Sequence, residues 1–218
     1  MNGGEDVKRY SEYSPNHTDS EVKINFKIQQ FQTDAVESIV DIFKGEQSDK
    51  ANKYIFDMGK YYKHLLNPEI KVGYSNHPIS LSDEQLLENL NRVQKKNNLK
   101  VSKSIDQSLG KCSLDIEMET GSGKTYVYIK TMFELYERYG WSKFIVVVPS
   151  IAIREGVKKT FEMTKDHFKA QYGKTANFFI YNSSNLQKLN DFSREPGIYV
   201  MIINYQAFAS SFDEDGKT

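Results

Sequence analysis

The sequence has little cysteine, no net charge and no long apolar run, and each absence limits the kinds of site or segment that the protein can contain. Its single cysteine, Cys112, rules out an internal disulfide and a cysteine-rich metal site. Basic and acidic residues number 29 each, so any nucleic-acid surface must be a local patch and not a global basic field. No apolar run approaches the roughly 20 residues of a membrane span, and the start lacks a signal-peptide core. These features predict a cytoplasmic protein without a membrane segment.

The length of 218 residues suits one sizeable core with room for an insertion. Residues 1–25 are polar, with few aliphatic side chains, and this composition predicts a flexible tail. Residues 26–218 are predicted to form one main domain. Within it, residues 46–110 are rich in lysine, asparagine, serine and aspartate and show no clear strand, which indicates an insertion or a long connection.

Two amphipathic helices are predicted before residue 110. In the first, apolar residues recur at three- and four-residue steps from Phe31, and Gly45 offers an end. Ser82 and Gln85 have the spacing of a capping box, in which each side chain bonds the other residue's backbone. The apolar residues that follow predict a second helix over residues 83 to about 96.

Strand and helix patterns alternate after Gly110. The expected strands are residues 112–118, 144–148, 178–181 and 198–203, with helices around residues 128–136 and 153–161. The continuous apolar run 144–148, closed by Pro149, predicts a buried parallel strand. This order predicts an α/β fold, in which helices flank a parallel sheet on both faces.

The segment Met118-Glu-Thr-Gly-Ser-Gly-Lys-Thr125 lies between an expected strand and an expected helix, where a phosphate-binding loop belongs. Gly121 and Gly123 permit positive φ, so that backbone N–H groups can point at phosphate oxygens. Lys124 supplies positive charge for the phosphates, and Thr125 can give its hydroxyl to Mg²⁺. We therefore expect bound ATP and Mg²⁺, with Lys124 and Thr125 as the catalytic residues. The expected phosphate-contacting residues are Thr120, Gly121, Ser122, Gly123, Lys124 and Thr125.

This loop departs from the full phosphate-loop pattern, because Met118 stands where the first glycine would be. Loops of the Thr-Gly-Ser-Gly-Lys-Thr type resemble those of superfamily 2 helicases and translocases more than those of small-molecule kinases. The alternative interpretation, a glycine-rich turn with a solvated lysine, is disfavoured by the strand and helix patterns on either side of the loop.

Three segments resemble the N-terminal ATPase portion of the restriction (Res) subunit of type III restriction-modification enzymes. Leu114–Tyr126 resembles the first helicase motif of that family, Val147–Val157 resembles motif Ia, and Ile202–Phe208 is similar to a segment that supports the nucleic-acid strand. The resemblance implies a RecA-like P-loop NTPase domain with an insertion before its phosphate-loop strand. It also implies DNA contacts at the ends of two strands, and the candidates are Ser150, Ile151, Arg154, Asn204, Tyr205 and Gln206.

The first group of these DNA candidates has a second interpretation. Backbone amides near Ser150 and Ile151, with the guanidinium of Arg154, can meet DNA phosphates. Equally, Ser150 can cap the helix that follows and leave Arg154 in water. The residues alone do not separate these two interpretations.

A further segment, Phe31-Gln-Thr-Asp-Ala-Val36, resembles the short glutamine motif with which many such motors recognise adenine. A glutamine amide suits adenine because its donor and its acceptor can pair with the exocyclic amine and a ring nitrogen together. Gln32 is the candidate, although Gln29 and Gln30 lie beside it. The alternative is an exposed glutamine at a helix start.

The acidic pair that holds Mg²⁺ and activates water in such motors is not found at the end of a final apolar strand. Asp213-Glu214-Asp215 fits an acidic surface loop better, since Phe212 is its only apolar lead-in. The second motor domain and the nuclease domain that the resemblance implies are also not found. The sequence therefore predicts an incomplete domain that binds nucleotide and hydrolyses little or none of it.

The function that the resemblance implies is ATP-driven movement along double-stranded DNA before cleavage by a nuclease domain. It also implies a methyltransferase (Mod) subunit as the partner that recognises the DNA site. One alternative is a superfamily 2 helicase of repair, RNA metabolism or type I restriction. The other is a binding module whose phosphate loop switches its affinity for a partner.

Two further groups of polar residues fit ordinary structural roles. Lys95, Lys96, Lys100 and Lys103 form a basic run that can touch a duplex backbone, but a solvated helix end is the favoured interpretation. The histidines lie singly in polar surroundings without partners at metal-ligand spacing, so no zinc site is expected; they are His17, His64, His77 and His167.

Overall fold

A computed structural model describes residues 26–48, 52–55, 72–184 and 186–213. Their helices and strands, in chain order, are α1 Gln30–Val40, β1 Asn52–Ile55, β2 Val72–Ser75, α2 Asp83–Lys96, α3 Lys124–Tyr139, β3 Lys143–Val148, α4 Ile151–Tyr172, β4 Asn177–Ile180, α5 Leu186–Arg194, β5 Tyr199–Asn204 and α6 Tyr205–Asp213. A 3-10 turn, Asp41–Phe43, continues α1. The predicted tail, residues 1–25, lies outside the described residues. No helix in the described ranges is long and apolar enough to cross a membrane.

Strands β3, β5 and β4 form a parallel sheet with β5 in the centre. Lys143 pairs with Tyr199 at the start of β3, and Val148 pairs with Asn204 at its end. Asn177 of β4 pairs with Tyr199 from the other side. Helices connect these parallel strands along the chain, which confirms the predicted α/β class.

The two faces of the sheet are covered by different helices, because successive side chains of a strand point to opposite sides. Val200 and Ile202 of β5 are fully buried in a core formed with α3 and α4. Tyr199 and Met201 point the other way and pack with Phe192 of α5. A further core joins α1, α2 and α3 beside the sheet.

Strand β3 is less buried than the sequence predicted. Val148 is buried, but Ile145 is 51% exposed and Val147 is 42% exposed. Their register places both on the face that carries Met201, where α5 covers β4 and β5. The prediction of a buried strand was therefore wrong for the face that carries Ile145 and Val147. Among the described strands β3 is the outermost one, and α5 does not cover this face of it.

The predicted strand 112–118, which leads into the phosphate loop, is also absent from the sheet. It makes one isolated bridge, between Ser113 and Asp106, and none of the described strands pairs with it. Leu114 and Met118 pack into the core of α1, α2 and α3. The prediction was wrong because apolar alternation positions side chains only, whereas a strand also needs a neighbouring backbone to bond.

Residues of the expected insertion, 46–110, dock closely on the start of β3. No strand was predicted there, yet β1 and β2 pair antiparallel. The side-chain oxygen of Asn76 accepts hydrogen bonds from the backbone N–H groups of Ser142, at 2.8 Å, and Lys143, at 2.9 Å. Its nitrogen donates to the carbonyl of Lys143 at 2.8 Å. These bonds tie the segment after β2 to the sheet.

Glu46 provides a second attachment for this segment. Its buried carboxylate accepts hydrogen bonds from the backbone N–H groups of Ser80, at 2.9 Å, and Leu81, at 3.3 Å, and from the Ser80 hydroxyl. Burial raises the pKa of the Glu46 carboxyl, but the bonds from Ser80, Leu81 and Gln47 outweigh burial, so the pKa lies below its ordinary value. The carboxylate therefore stays ionised and holds residues 80–81 against the end of α1.

Helix α2 confirms the predicted capping box. Ser82 Oγ accepts from the backbone N–H of Gln85 at 3.3 Å, and Gln85 Oε1 accepts from the backbone N–H of Ser82 at 2.9 Å. The helix then runs to Lys96, as predicted, with Leu86 fully buried against the 3-10 turn after α1.

Candidate functional site

The candidate phosphate loop forms a tight turn directly before α3. Gly121 has φ +82° and Gly123 has φ +88°, values in the left-handed region that glycine adopts without strain. Gly123 is also the N-cap of α3, and no side chain caps this helix end. The first N–H groups of α3 are consequently available to an anionic ligand, which the positive end of the helix dipole also favours.

Three donors of the loop converge on the carbonyl oxygen of Glu119. They are the hydroxyl of Ser122 at 2.6 Å, the ammonium of Lys124 at 2.8 Å and the backbone N–H of Ser122 at 3.2 Å. The exposed Lys124 therefore folds back over the turn. A phosphate group competes well for this lysine, because its negative charge attracts the ammonium more strongly than the neutral carbonyl of Glu119 does.

Gln32 reaches this loop from α1, which packs against α3. Its Nε2 atom donates to the carbonyl oxygen of Ser122 at 2.9 Å. Gln30 bonds Asp34 within its own helix, at 2.9 Å, and Gln29 is the N-cap residue of α1. The contact with the loop thus distinguishes Gln32 from its two neighbours, and the Gln32 side chain is half-buried.

An open cleft of about 640 Å³ lies beside the loop and is lined by Ile116, Glu117, Met118, Glu119 and Lys124. Within the described residues, no group of three or more histidine, cysteine, aspartate or glutamate side chains can hold a metal ion. Mg²⁺ at this loop would therefore bind largely through nucleotide oxygens and water, with the half-buried Thr125 giving a hydroxyl. The uncapped helix end, the lysine and this hydroxyl suit a nucleotide with its magnesium.

The predicted DNA-contacting residues lie together at the carboxyl-terminal edge of the sheet. Val148 is the last residue of β3, and it pairs with Asn204, the last residue of β5. Ile151 and Tyr205, the first residues of the two helices that follow, are each 61% exposed. Asn204 donates to the side chain of Gln206 at 3.1 Å, so these two amides are held together. This edge presents two exposed apolar side chains beside a polar pair.

Ser150 and Arg154 have structural partners at the same edge. Ser150 Oγ caps α4 by accepting from the backbone N–H of Ile153 at 3.3 Å, as the second interpretation expected. Arg154 donates to Glu155 at 3.1 and 3.3 Å, so its guanidinium is paired and not simply hydrated. A DNA phosphate near α4 would have to compete with Glu155 for this arginine.

Sequence reasoning missed an aromatic group directly after the loop. The hydroxyl of Tyr126 lies 2.9 Å from Nε2 of His167, and the ring of Phe26 lies 4.9 Å from the histidine ring between centroids. Burial, and then the charge of Lys130, lowers the pKa of His167. The expectation of polar surroundings was therefore wrong for this histidine. The available signal was the helical spacing of Phe161, Thr164 and Phe168, because His167 lies next to this buried face of α4.

The acidic run near the end of the chain is only partly described. Asp213 is the last residue of α6, whereas residues 214 and 215 lie outside the described ranges.

Family comparison adds an independent observation to this geometry. A family model described as type III restriction enzyme, res subunit, matches residues 25–217. The chain belongs to this family. The predicted RecA-like, helicase-type P-loop domain of a Res subunit is thereby confirmed as the fold of this part of the protein.

Three curated Res subunits are similar to this Res-family chain. The EcoP15I Res subunit of Escherichia coli is 36% identical over 122 residues, which are 55% of this chain and 11% of that protein. The EcoPI Res subunit of Escherichia phage P1 is 31% identical over 121 residues, again 55% of this chain and 11% of that protein. The StyLTI Res subunit of Salmonella typhimurium is 46% identical over 67 residues, 30% of this chain and 7% of that protein. The chain thus matches about a tenth or less of the length of these relatives.

Proposed function

We propose that this Res-family chain binds ATP with Mg²⁺ at the loop before α3, as part of a DNA-dependent ATPase. In that role, ATP hydrolysis drives movement along double-stranded DNA before a nuclease domain cuts it. The observation that carries the proposal is the turn itself. Two left-handed glycines, Gly121 and Gly123, lie before an uncapped helix end, with Lys124 next to them.

Each residue of the turn has a separate part in the proposed binding. The backbone N–H groups of residues 120–125 surround the phosphate oxygens, and Ser122 and Lys124 exchange the Glu119 carbonyl for phosphate oxygens. Thr125 holds the magnesium that accompanies the nucleotide and neutralises charge on the phosphates. Gln32 keeps one N–H on the Ser122 carbonyl, which leaves its carbonyl oxygen and second N–H for adenine.

Hydrolysis needs more than this site contains. An in-line attack on the γ-phosphate requires a residue that orients water and a carboxylate that holds the metal. The described parallel strands β3, β4 and β5 end in Val148, Ile180 and Asn204, so none of them carries a carboxylate at its end. We therefore propose that residues 1–218 alone bind nucleotide with little or no turnover. Robust ATP hydrolysis by the purified chain that disappears in Lys124→Ala would contradict this part of the proposal.

The remaining roles concern the whole protein. We propose that the edge formed by residues 150–154 and 204–206 contacts the DNA backbone, and that residues 26–218 belong to one motor domain. The names of the similar proteins describe restriction-modification enzymes, which supports a nuclease domain and a methyltransferase (Mod) subunit as the partner. A cytoplasmic location agrees with this role.

Calorimetric titration with ATP and Mg²⁺ tests the binding site. Lys124→Ala removes charge-assisted contacts that contribute about 1.5 to 3 kcal/mol each, so affinity should fall by about 10- to 150-fold. Lys159→Ala is the matched control, since Lys159 is an exposed lysine on α4. Equal ATP affinity in the wild type and Lys124→Ala would refute the role of the loop.

The other candidate functions separate in the full-length protein. DNA-stimulated ATP hydrolysis would exclude a binding module that only switches with nucleotide. A helicase of repair, RNA metabolism or type I restriction would also hydrolyse ATP, so the deciding measurement is ATP-dependent cleavage of a duplex in the presence of the Mod partner.

A further inference from the structure

Four lysines lie at and just beyond the C-terminal end of α2. Lys95, Lys96, Lys100 and Lys103 are all exposed. Residues 95–105 contain no acidic residue, although the chain as a whole has equal numbers of basic and acidic residues. The positive charge of this lysine surface, as we call these four residues, is therefore a local excess.

The lysine surface has no acidic partner among the described residues. None of its four ammonium groups lies within 4.0 Å of a carboxylate oxygen in the part of the chain that the structure describes. The acidic residues nearest in sequence have other partners. Glu88 pairs with Arg92 at 3.5 Å, and Asp106 accepts from the backbone N–H of Ser108 at 2.9 Å. Within the described ranges, all four cations are therefore unpaired and can meet a ligand.

The backbone that carries these lysines has a defined conformation. The side chain of Gln94 accepts from the backbone N–H of Ser102 at 2.8 Å and donates to its hydroxyl at 2.9 Å. Leu99 donates its backbone N–H to the carbonyl of Gln94 at 2.8 Å, and Asn97 bonds Ser38 of α1 at 3.2 Å. A ligand would therefore need to order the lysine side chains but not the loop, which lowers the entropic cost of binding.

Stabilisation of the helix end explains only part of this charge. Lys95 and Lys96 lie in the last turn of α2, where cations interact favourably with the helix dipole. Lys100 and Lys103 lie beyond the helix, and the dipole effect falls off within one turn. Two of the four lysines therefore have no structural role among the described contacts.

We propose that the lysine surface binds the phosphate backbone of double-stranded DNA, at a place separate from the strand-end residues 150–154 and 204–206. This inference rests on the proposed function, which supplies duplex DNA as the polymer along which the domain moves. Residues 95–105 contain no arginine and no aromatic residue. The surface thus lacks the guanidinium that pairs with guanine through two bonds and the rings that stack on bases, so we expect it to bind mainly through phosphates with little sequence preference.

The test is the salt dependence of binding between the full chain and a fluorescein-labelled duplex of about 20 base pairs, measured by anisotropy. Each lysine–phosphate contact contributes about 0.9 to the slope of log affinity against log salt. Changing all four lysines to glutamine should reduce the slope by about 3.6 and should affect two unrelated duplex sequences equally. An unchanged slope, or no binding by the wild type, overturns the proposal.

A matched control removes the same charge from α4. The control substitutions are Lys158→Gln, Lys159→Gln, Lys165→Gln and Lys169→Gln. Acidic residues lie between these lysines along the helix, and Lys158 pairs with Glu162 at 3.8 Å. This control should change the slope by less than half as much. An equal loss of slope in the α4 control would show a general charge effect and would overturn the proposal. Binding to phosphatidylserine vesicles that depends on the four lysines and is stronger than binding to the duplex would also overturn it.

Two further measurements separate this proposal from the proposed function. Calorimetric ATP affinity should be the same in the wild type and the lysine-surface variant, so loss of DNA binding with retained ATP binding supports the surface alone. If ATP does not bind at all but the slope still depends on the four lysines, the nucleotide proposal fails and the surface stands. Should the fourfold variant unfold, Lys100→Gln with Lys103→Gln lies outside α2 and should reduce the slope by about 1.8.

Discussion

The side-chain nitrogen of Gln32 donates a 2.9 Å hydrogen bond to the carbonyl oxygen of Ser122, a residue 90 positions later in the chain. The same nitrogen would lie 2.5 Å from a Cβ atom placed on Gly123. Helix α1 and the phosphate loop are therefore fitted together at one point. A change at Gly123 must displace Gln32, whereas a change at Gly121 meets no atom within 4 Å.

This fit predicts energetic coupling between Gly123 and Gln32. Gly121→Ala and Gly123→Ala each place a side chain at positive φ, which costs about 1 to 2 kcal/mol. Gly123→Ala should cost about 0.5 to 1.5 kcal/mol more, because Gln32 swings away and loses its bond to Ser122. The measurement is the free energy of unfolding from urea titrations.

Adding Gln32→Ala to each glycine variant isolates this term. In the wild type and in Gly121→Ala, the Gln32 substitution should cost the same amount. In Gly123→Ala it should cost close to nothing, since the bond is already lost. An equal cost in both glycine backgrounds would show that Gln32 does not contribute through the loop.

The Gln32 amide uses one N–H in its bond to Ser122. Its carbonyl oxygen and second N–H predict selectivity for adenine over guanine. Two neutral hydrogen bonds to adenine together contribute about 1 to 3 kcal/mol, so Gln32→Ala should reduce the preference for ATP over GTP by about 5- to 150-fold. Calorimetric titrations with the two nucleotides measure this ratio. Gln30→Ala is the control, because Gln30 bonds only Asp34 on the exposed side of the same helix. If Gln32→Ala keeps the wild-type ratio, adenine is recognised elsewhere.

Local patterns predicted the elements whose geometry depends on nearby residues. The capping box of Ser82 and Gln85 fixed the start of α2, and the glycines of the phosphate loop fixed a turn at positive φ. Gln32 could be named only through family resemblance, since its contact lies 90 residues away in sequence. Capping and turn patterns, by contrast, describe hydrogen bonds between residues that lie only a few positions apart in the sequence.

The elements that sequence reasoning missed depend on distant parts of the chain. Residues 112–118 have the alternation of a strand but find no partner strand among the described residues. Helix α5 was also not predicted, although Leu189 and Phe192 follow Leu186 at three-residue steps, and Phe192 packs against Tyr199 of β5. Glu46 was not singled out, because its partners Ser80 and Leu81 follow the segment that no pattern explained.

The buried carboxylate of Glu46 predicts acid sensitivity. Its folded pKa lies below the ordinary value of 4.5, so the stabilisation is complete above about pH 4.5 and is lost as pH falls through the folded pKa. Glu46→Gln should therefore lower the free energy of unfolding at pH 7 by about 1.5 to 3 kcal/mol. The difference between the two proteins should shrink in acid, as measured by urea titrations at a series of pH values.

Glu88→Gln is the matched control for this carboxylate. Glu88 is paired with Arg92, but their side chains are 78% and 54% exposed. Such surface pairs contribute about 0 to 1 kcal/mol, so the variant should resemble the wild type at every pH. A Glu46→Gln effect that stays constant into acid would mean that the side-chain shape, and not the ionised carboxylate, holds residues 80–81.

The exposed side of β3 gives the last prediction. Ile145 and Val147 are about half exposed on a strand that has no neighbour on one side among the described residues, a combination that favours self-association and dye binding. Ile145→Thr with Val147→Thr should reduce concentration-dependent sedimentation and the fluorescence of a bound naphthalene sulfonate dye. Stability should change by no more than about 0.5 kcal/mol, since neither side chain leaves a core.

Val148→Thr, on the same strand, is the control because Val148 is only 4% exposed. Its hydroxyl would enter the core of α3, α4 and the sheet, where an unpaired polar group costs about 1 to 3 kcal/mol. If the double variant is destabilised as much as Val148→Thr, the open side of β3 must be covered in solution. Another part of the protein would then pack on this face of the sheet.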